Sequence, residues 1–336
     1  MVTISNTKTK SKVVIIGTGM VGMSYAYSLL NQGTVKELVL IDIDKERAEG
    51  EAMDLNHGLS YAPRKMKIYA GEYSDCKDAD IVVITAGVPQ KKGESRIDLL
   101  NRNATIMKIV VGQVIKSRFH GIILVASNPV DILTYVAWKA SGLPASKVIG
   151  SGTSLDTARL RFEIAQKINI SVKNIHAYIM GEHGDSEFVC WSQAYVGAKP
   201  LVDVIESMKE IEFKHLEEIH NSVKNAAYEI IKRKKATYYG IGMTLVSITS
   251  AILNDENRII PISVYNDGTY DTVKDLFIGL PAVLNAEGVN YVMRLKLNNK
   301  EQEQLNHSAS ILKGILDQMD YWNYLTYKDT IKVTMP

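Results

Sequence analysis

The sequence predicts an α/β protein in which a Rossmann-type, doubly wound parallel sheet is followed by a mixed α+β domain. Through residue 150, short β-branched runs alternate with amphipathic segments of helix length. Runs that are apolar throughout are typical of strands covered on both faces, and helices between them indicate parallel βαβ units. After residue 150, long helical runs and strand pairs replace this alternation. The change of pattern predicts two domains.

The first domain is predicted to span residues 1–150 and to contain six buried parallel strands. The six runs are VVIIG (13–17), ELVLID (37–42), MKIYA (66–70), DIVVITAG (80–87), GIILVAS (121–127) and KVIG (147–150). Each run is rich in Val, Ile or Leu and lacks the apolar and polar alternation of a half-exposed strand.

The second domain is predicted to span residues 151–318. Helices are expected over 155–168 and about 208–232, 237–253 and 299–318, and a strand is expected over 175–180 (IHAYIM). Asn266-Asp267-Gly268 predicts a tight hairpin turn after IIPISVY. Residues 319–336 are predicted to be a tail, to which we assign no role. A cleft between the two domains is the natural place for a ligand.

Composition and charge exclude several classes of protein. The 39 basic and 37 acidic residues leave a net charge of only +2, which argues against a nucleic-acid-binding protein. The longest apolar stretches fall far short of the ~20 residues that cross a membrane, and the polar N-terminus lacks the apolar segment of a secretory signal. Cys76 and Cys190 form no CxxC pair, so no metal site is expected. The prediction is a cytoplasmic protein with neither membrane nor nucleic acid as a partner.

The first predicted strand runs into Gly17-Thr18-Gly19-Met20-Val21-Gly22, a GxGxxG sequence at a strand-to-helix junction. Such glycines allow a tight turn and a close approach of the backbone to a pyrophosphate, which then lies at the helix N-terminus. Alone the motif is weak evidence, because glycines also tighten βα turns that bind nothing. Asp42 strengthens it, because it closes the second strand 20 residues beyond Gly22. A carboxylate there would bind the ribose hydroxyls of NAD and repel the 2′-phosphate of NADP, although Asp42 could also merely begin a turn.

Three further residues form the minimal set for oxidising a 2-hydroxy acid. Asp156 and Arg159 are three apart on a predicted helix, and His183 stands between glycines in Gly181-Glu182-His183-Gly184-Asp185. An imidazole can take the hydroxyl proton, a carboxylate can fix its tautomer, and a guanidinium can hold the substrate carboxylate through two hydrogen bonds. The alternatives are a structural histidine and a surface ion pair, each of which is commoner when found alone.

The segment from Val88 to Arg96 follows the fourth strand and has no large apolar anchor beyond its start. It is predicted to be a solvent-facing loop at the carboxyl edge of the sheet, where ligands of such sheets bind. If the loop closes over a substrate, Arg96 could polarise the carbonyl oxygen. The alternative is a polar connection without a function.

From about residue 12 to 318, the chain resembles the lactate/malate dehydrogenase family, and within it the bacterial L-lactate dehydrogenases. The motifs that carry the resemblance are, in order, GTGMVG, LVLID, AGVPQKKGESR, SNPVD, SGTSLDTARLR, GEHGDSE and ATYYG. The resemblance implies a catalytic set in which His183 moves the proton; this set is His183, Asp156, Arg159 and Arg96. It implies a substrate pocket made of Gln90, Arg96, Asn128, Asp131, Arg159 and Thr237. It implies an NAD groove lined by Gly17, Gly19, Met20, Val21, Gly22, Asp42, Arg47, Tyr73, Gly87, Val88, Asn128 and Ser151.

Gln90 bears on the choice of substrate. In malate-specific relatives, the loop position that resembles Gln90 is an arginine. The second carboxylate of oxaloacetate requires this cation for charge pairing. A neutral amide suits the methyl group of pyruvate, so pyruvate and L-lactate are the expected substrates. Lys91 and Lys92 keep malate or another 2-hydroxy acid open, because either could offer a cation. A dinucleotide-binding protein that has lost catalysis is the alternative from another class.

Arg161 and His176 suggest a second site. Two residues along a helix rotate a side chain by ~200°, so Arg161 points away from the pocket that Arg159 would serve. Strand alternation places His176 on the face opposite Ile175 and Ala177. The pair resembles the basic residues with which bacterial L-lactate dehydrogenases bind fructose 1,6-bisphosphate across a subunit interface. This implies an allosteric homo-oligomer, expected to be a tetramer; the alternative is two solvated cations.

Overall fold

The six predicted strands of the first domain form one parallel sheet. The structure is a computed structural model that describes residues 11–89, 93, 95–208 and 214–319. The strands are β1 (Lys12–Ile16), β2 (Glu37–Ile41), β3 (Lys67–Ala70), β4 (Ile81–Ile84), β5 (Ile122–Val125) and β6 (Val148–Gly150). Their spatial order is β3, β2, β1, β4, β5, β6, and every pair among them is parallel. The predicted doubly wound α/β fold is confirmed.

Helices between these strands cover the sheet and begin near the carboxyl ends of the strands. They are α1 (Met20–Gln32), α2 (Lys45–His57), α3 (Arg96–Lys116) and α4 (Val130–Ser141). Local sequence sets their ends. The Asp44 side chain accepts from the amide of Arg47 and so caps α2, the Ser95 side chain caps α3 in the same way, and Gly33 ends α1 with a φ of 59°.

The second half of the chain adds five helices and eight strands among the described residues. The helices are α5 (Ser154–Ile168), α6 (Leu201–Glu206), α7 (Lys214–Lys234), α8 (Tyr239–Leu253) and α9 (Asn299–Gln318). The strands are β7 (Ile175–His176), β8 (Ile179–Met180), β9 (Phe188–Val189), β10 (Tyr195–Val196), β11 (Lys199–Pro200), β12 (Arg258–Tyr265), β13 (Phe277–Asn285) and β14 (Gly288–Val292).

Three of these later strands extend the first sheet. β12 pairs antiparallel with β6, and β13 and β14 follow it outward, which gives a nine-stranded sheet. Gly181 and Gly279 exchange two backbone hydrogen bonds of 3.0 and 2.9 Å. The segment that carries His183 is thereby attached to β13, and so to the sheet that carries the glycine-rich turn.

One local prediction for the second half was wrong. The predicted strand over 175–180 is two separate pieces, because β7 pairs with β10 whereas β8 pairs with β9. The predicted hairpin at Asn266 is present, since β12 pairs antiparallel with β13, but its turn is a loop over 266–276 in which the amide of Asn266 donates to the carbonyl of Leu276 at 2.8 Å. The helix predicted over about 208–232 is described from Lys214 to Lys234, and residues 209–213 lie outside the described ones.

Among the described helices, we find none with both the length and the apolar character required to span a bilayer.

Candidate active site

The glycine-rich turn between β1 and α1 has one glycine that packing inside the chain does not explain. Gly17 has a φ of 108°, and a Cβ there would lie 2.7 Å from the amide nitrogen of Ala86. A Cβ on Gly22 would lie 2.1 Å from the carbonyl oxygen of Gly17. A Cβ on Gly19, in contrast, would meet no atom within 4 Å, and Gly19 begins α1 without a side-chain cap. The open space at a helix N-terminus fits the pyrophosphate of a dinucleotide.

Alanine at Gly17 is therefore expected to lower stability, whereas alanine at Gly19 is expected to weaken NADH binding. Gly17→Ala should lower the free energy of unfolding by at least about 2 kcal/mol, because it adds both a left-handed backbone penalty and a clash. Gly19→Ala should leave thermal unfolding unchanged and weaken NADH binding by about tenfold or more, because its methyl group fills the approach to the phosphates. Denaturant unfolding and NADH fluorescence titration measure the two effects. Tight NADH binding by Gly19→Ala would contradict the assignment.

Asp42 lies one residue beyond β2, with its carboxylate turned toward the same glycine-rich turn. It accepts hydrogen bonds from the Thr18 amide at 2.6 Å, the Thr18 hydroxyl at 2.9 Å and the Asp44 amide at 3.0 Å. Partial burial favours the neutral form, but these hydrogen bonds outweigh it and lower the pKa of Asp42. The side chain is therefore a fixed anion, as an acceptor for ribose hydroxyls must be.

The other predicted cofactor residues lie around this edge of the sheet. Met20 and Val21 are in the first turn of α1, and Ser151 follows β6 directly. Gly87 and Val88 follow β4, and Asn128 follows β5. Tyr73 follows β3, and Arg47 lies in the first turn of α2. Burial, and then the nearby Cys76 and Asp42, raise the pKa of Tyr73. The Arg47 side chain pairs with Glu51 at 3.9 Å.

His183, Asp156 and Arg159 form one connected cluster. The Nδ1 atom of His183 lies 2.6 Å from Oδ2 of Asp156, and Nη1 of Arg159 donates to Oδ1 of Asp156 at 2.9 Å. Asp156 is buried in the first turn of α5, and Arg159 lies one turn further along the same face. The histidine side chain remains 27% exposed, so a small ligand can reach the ring. The structure brings these three side chains together, as predicted.

The neighbours of His183 favour its protonated form. Burial alone would lower its pKa, but the charge of Asp156 and the hydrogen bond to it raise the pKa to about 9. Burial would likewise raise the pKa of Asp156, but the His183 charge, that hydrogen bond and Arg159 lower it. The pair is thus an imidazolium and a carboxylate near neutral pH, and the ring can give a proton through its other nitrogen.

Asp131 holds the backbone beneath the imidazole. It is buried near the start of α4, and its Oδ2 accepts from the amide of His183 at 2.8 Å while its Oδ1 accepts from the Ser263 hydroxyl at 2.5 Å. Burial outweighs the two hydrogen bonds and raises its pKa to about 6. Both of its carboxylate oxygens thus accept hydrogen bonds from protein donors, and its predicted contact with substrate stays a prediction. Asp131 also joins the loop after β5, which carries Asn128, to the His183 segment.

Several predicted residues are not brought to this cluster by the described contacts. Gln90, Lys91 and Lys92 lie outside the described residues, and so does the side chain of Arg96, whose backbone begins α3. Thr237 is partly exposed in the segment between α7 and α8.

The predicted effector residues lie next to each other, away from the cluster. Arg161 donates from Nε to the carbonyl of Ala177 at 3.0 Å, directly beside His176, and its guanidinium lies 5.1 Å from the centre of the Tyr178 ring. His176 is exposed, whereas Ile175 and Ala177 are buried, as alternation predicts.

Sequence reasoning missed Ser263, Thr18 and Glu187. Ser263 and Thr18 are the hydroxyl donors to Asp131 and Asp42. Glu187 is 4% exposed, and its Oε1 is buried without a hydrogen-bond partner among the described residues. A glutamate directly before the apolar run Phe188-Val189-Cys190 was the available signal, because an acid seldom joins a buried strand unless it has a task there.

A glycine-rich turn at a helix N-terminus, an ionised acid beside it and a histidine paired with a buried carboxylate are the features expected of a nicotinamide-dependent dehydrogenase. Residues 11–150 match the family described as lactate/malate dehydrogenase, NAD binding domain, and residues 153–321 match its alpha/beta C-terminal domain. The chain therefore belongs to the lactate/malate dehydrogenase family. The predicted family, the predicted enzyme class and the predicted cofactor NAD are confirmed.

The chain is similar in both sequence and structure to proteins named lactate dehydrogenase. The chain is 53% identical over 308 residues to an L-lactate dehydrogenase of Geobacillus sp., covering 92% of this chain and 96% of that one. A crystal structure of a lactate dehydrogenase from a Medee basin deep-sea metagenome library has a TM-score of 0.92 at 68% identity, covering 93% of this chain and 99% of that one. The ligand-bound minor L-lactate dehydrogenase of Enterococcus mundtii has a TM-score of 0.91 at 49% identity, covering 94% and 100%.

Proposed function

We propose that this protein interconverts pyruvate and NADH with L-lactate and NAD, and that its fermentative role is to reduce pyruvate. The observation that carries the proposal is the connected cluster of His183, Asp156 and Arg159 beside an edge of the sheet that fits NAD. The names of the relatives support L-lactate as the substrate. The division into residues 1–150, residues 151–318 and a tail over 319–336 is part of the proposal, as is a cytoplasmic location.

Each member of the cluster has one task in the proposed reaction. His183 gives its proton to the carbonyl oxygen during reduction and takes the hydroxyl proton during oxidation. Asp156 holds the ring through Nδ1 and stabilises the imidazolium, so that the opposite nitrogen faces the substrate. Arg159 uses the donors not committed to Asp156 to bind the substrate carboxylate. When bound, NAD supplies the hydride acceptor of the oxidation.

A comparison of substrates tests the proposal against the malate alternative. The neutral amide of Gln90 does not itself pair with a second carboxylate, so kcat/KM is expected to be at least about tenfold higher for pyruvate than for oxaloacetate. Gln90→Arg supplies a cation and should reverse the preference. Loss of NADH absorbance measures both rates. A parent protein that prefers oxaloacetate would support a malate dehydrogenase, and one that binds NADH but turns over neither acid would support a non-catalytic protein.

We further propose that Arg161 and His176 bind fructose 1,6-bisphosphate at an interface of a homotetramer. Support comes from the hydrogen bond of Arg161 to Ala177, the residue that follows His176, and from the ~200° that separates Arg161 from Arg159 around α5. Cations from neighbouring subunits would repel each other until a bisphosphate neutralises them, so the effector would stabilise the assembled form.

The effector is expected to lower the KM for pyruvate of the parent by about fivefold or more, in the range of ordinary allosteric coupling. Arg161→Gln should abolish this response. Initial rates across an effector titration measure the coupling, and sedimentation with and without effector measures the assembly. Lys167→Gln, an exposed cation near the end of the same helix, is the matched control. Equal responses in the parent and Arg161→Gln would end the allosteric proposal.

A further inference from the structure

A second buried carboxyl group lies beside the catalytic histidine. Glu187 follows His183 by four residues and directly precedes β9. One oxygen or nitrogen atom from each of Asp156, His183 and Glu187 lies within 4.8 Å of the others. Oε1 of Glu187 is buried and has no hydrogen-bond partner among the described residues, so an ionised carboxylate gains no stabilisation from hydrogen bonding at that oxygen. Its protonation must depend on the charges around it.

Charged and titratable groups face Glu187 from every element packed around it. They are Asp156 and Arg159 on α5, His183, Glu182 and Asp185 on its own segment, His220 and Lys224 on α7, and His307 on α9. Burial, followed by the charge of Asp156, raises the pKa of Glu187 to about 8, while His183 and Lys224 act in the opposite direction. Burial and then Lys224 lower the pKa of His220 to about 4, so this ring is neutral when Glu187 titrates.

A polar cavity leads from Glu187 to the surface. Its volume is about 450 Å³, which is room for several water molecules. Polar side chains form most of its wall, which contains Glu182, Asp185, Ser186, Lys224, Gln304 and His307. Asp185 and His307 are exposed, so the far end of the cavity reaches solvent. A proton can therefore reach Glu187 without passing the substrate side of His183.

The charge on His183 changes once in each direction of the proposed reaction. When the imidazolium gives its proton to the substrate oxygen, the site loses a positive charge and Asp156 and Glu187 lose part of their compensation. Near neutral pH Glu187 is already protonated, but at more alkaline pH it is ionised beside the imidazolium, and its carboxylate there binds one proton from solvent as His183 gives up its own. It returns to solvent when His183 becomes an imidazolium again, so protons balance over the cycle.

We propose that Glu187 is a positioning residue that acts through His183: at alkaline pH, where Glu187 is ionised, it takes up a proton through this cavity when the histidine gives one up and releases it when the histidine regains one. The inference rests on the proposed dehydrogenase function. Under this proposal, Glu187 sets the pH at which His183 ceases to be the proton donor and how steeply the rate of pyruvate reduction falls there.

Infrared difference spectroscopy tests the proton on Glu187 without any turnover. Between about pH 7 and about pH 10, the parent should lose the C=O stretch of a protonated carboxyl group. Asp131, whose pKa is raised to only about 6, is ionised over most of this range. Glu187→Gln should lack the change, and Glu303→Gln, an exposed acid on α9, should retain it. The same band change in the parent and Glu187→Gln would overturn the proposal even if the enzyme proves fully active.

The pH profile of pyruvate reduction tests the link to His183. A nearby carboxylate raises the pKa of His183, so Glu187→Gln should move the high-pH loss of kcat/KM to lower pH by about one unit. At the low-pH plateau, kcat/KM should stay within about threefold of the parent. Glu187→Asp keeps a carboxylate and should restore much of the parent profile. A superimposable profile, or a loss that is uniform at every pH, would overturn the link.

Lys224→Met keeps the inference testable if Glu187→Gln does not fold. The Lys224 charge lowers the pKa of Glu187, so its removal should move the infrared titration to higher pH by about half a unit. No movement would show that Glu187 is not the titrating carboxyl group.

Discussion

Replacing His183 with asparagine is expected to lower kcat for pyruvate reduction by about 10²–10⁴-fold, the usual contribution of a general acid and base. Asparagine can still bond to Asp156 but has no proton to give near neutral pH. NADH binding and thermal unfolding should stay close to those of the parent, because the glycine-rich turn and Asp42 are untouched. Stopped-flow or steady-state loss of NADH absorbance measures the effect.

The matched control is His57→Asn, which changes an exposed histidine at the end of α2. It should leave kcat and KM within about twofold of the parent, as surface changes usually do. Turnover that persists in the His183 variant would show that another group moves the proton. A variant that also loses NADH binding would indicate a disturbed fold, and denaturant unfolding separates the two outcomes.

Strand positions in the first half followed from the sequence because burial on both faces leaves a purely local mark. Five of the six predicted runs contain the observed strand, β1 begins one residue earlier at Lys12, and several strands end earlier than predicted. The run 80–87 ends as a strand at Ile84, because Thr85 turns its hydroxyl to the carbonyl of Gly17 at 2.7 Å and Gly87 already belongs to the loop. The apolar pattern continues into that loop, so composition alone could not mark the end.

The second half was harder because its strands depend on partners far away in sequence. Nothing within IHAYIM states that Ile175 will pair toward Val196 while Ile179 pairs toward Val189. The break also depends on Arg161 and Thr157, which bond to the carbonyl of Ala177 and the amide of Ile179. Alternation still gave the correct exposed face for His176, because neighbouring side chains alternate whichever strand is the partner.

The residues of the candidate site fall into the same two groups: those that local sequence reveals and those that only the packed structure reveals. His183, Asp156 and Arg159 could be found because residue type, helical spacing and flanking glycines all point to one chemistry. Asp131 was placed in the substrate pocket, but its position became clear only once β12 brought Ser263 to it. Glu187 went unnoticed because its isolation from hydrogen-bond partners is a property of the packed molecule, produced jointly by α5, α7 and its own segment.

Replacing Arg159 with glutamine is expected to lower kcat/KM for pyruvate by about 10²–10⁴-fold, mostly through a higher KM. Two charge-assisted hydrogen bonds to a carboxylate are together worth ~3–6 kcal/mol, and this range converts to the stated loss. Arg159→Lys keeps the charge but not the planar pair of donors, so it should fall between the parent and Arg159→Gln. Initial rates over a wide range of pyruvate concentration separate KM from kcat.

Arg233→Gln is the matched control, because Arg233 pairs with Glu229 at 3.1 Å on the exposed face of α7. Such a pair contributes little to stability and nothing to a buried site, so its kinetics should equal those of the parent. The contact with Asp156 complicates the interpretation of Arg159→Gln, because this substitution also removes a cation that lowers the pKa of Asp156. If Arg159→Gln lowered stability but left KM for pyruvate unchanged, the guanidinium would serve only as the partner of Asp156. A raised KM at unchanged NADH affinity and unchanged stability is the result expected if the guanidinium also binds the substrate carboxylate.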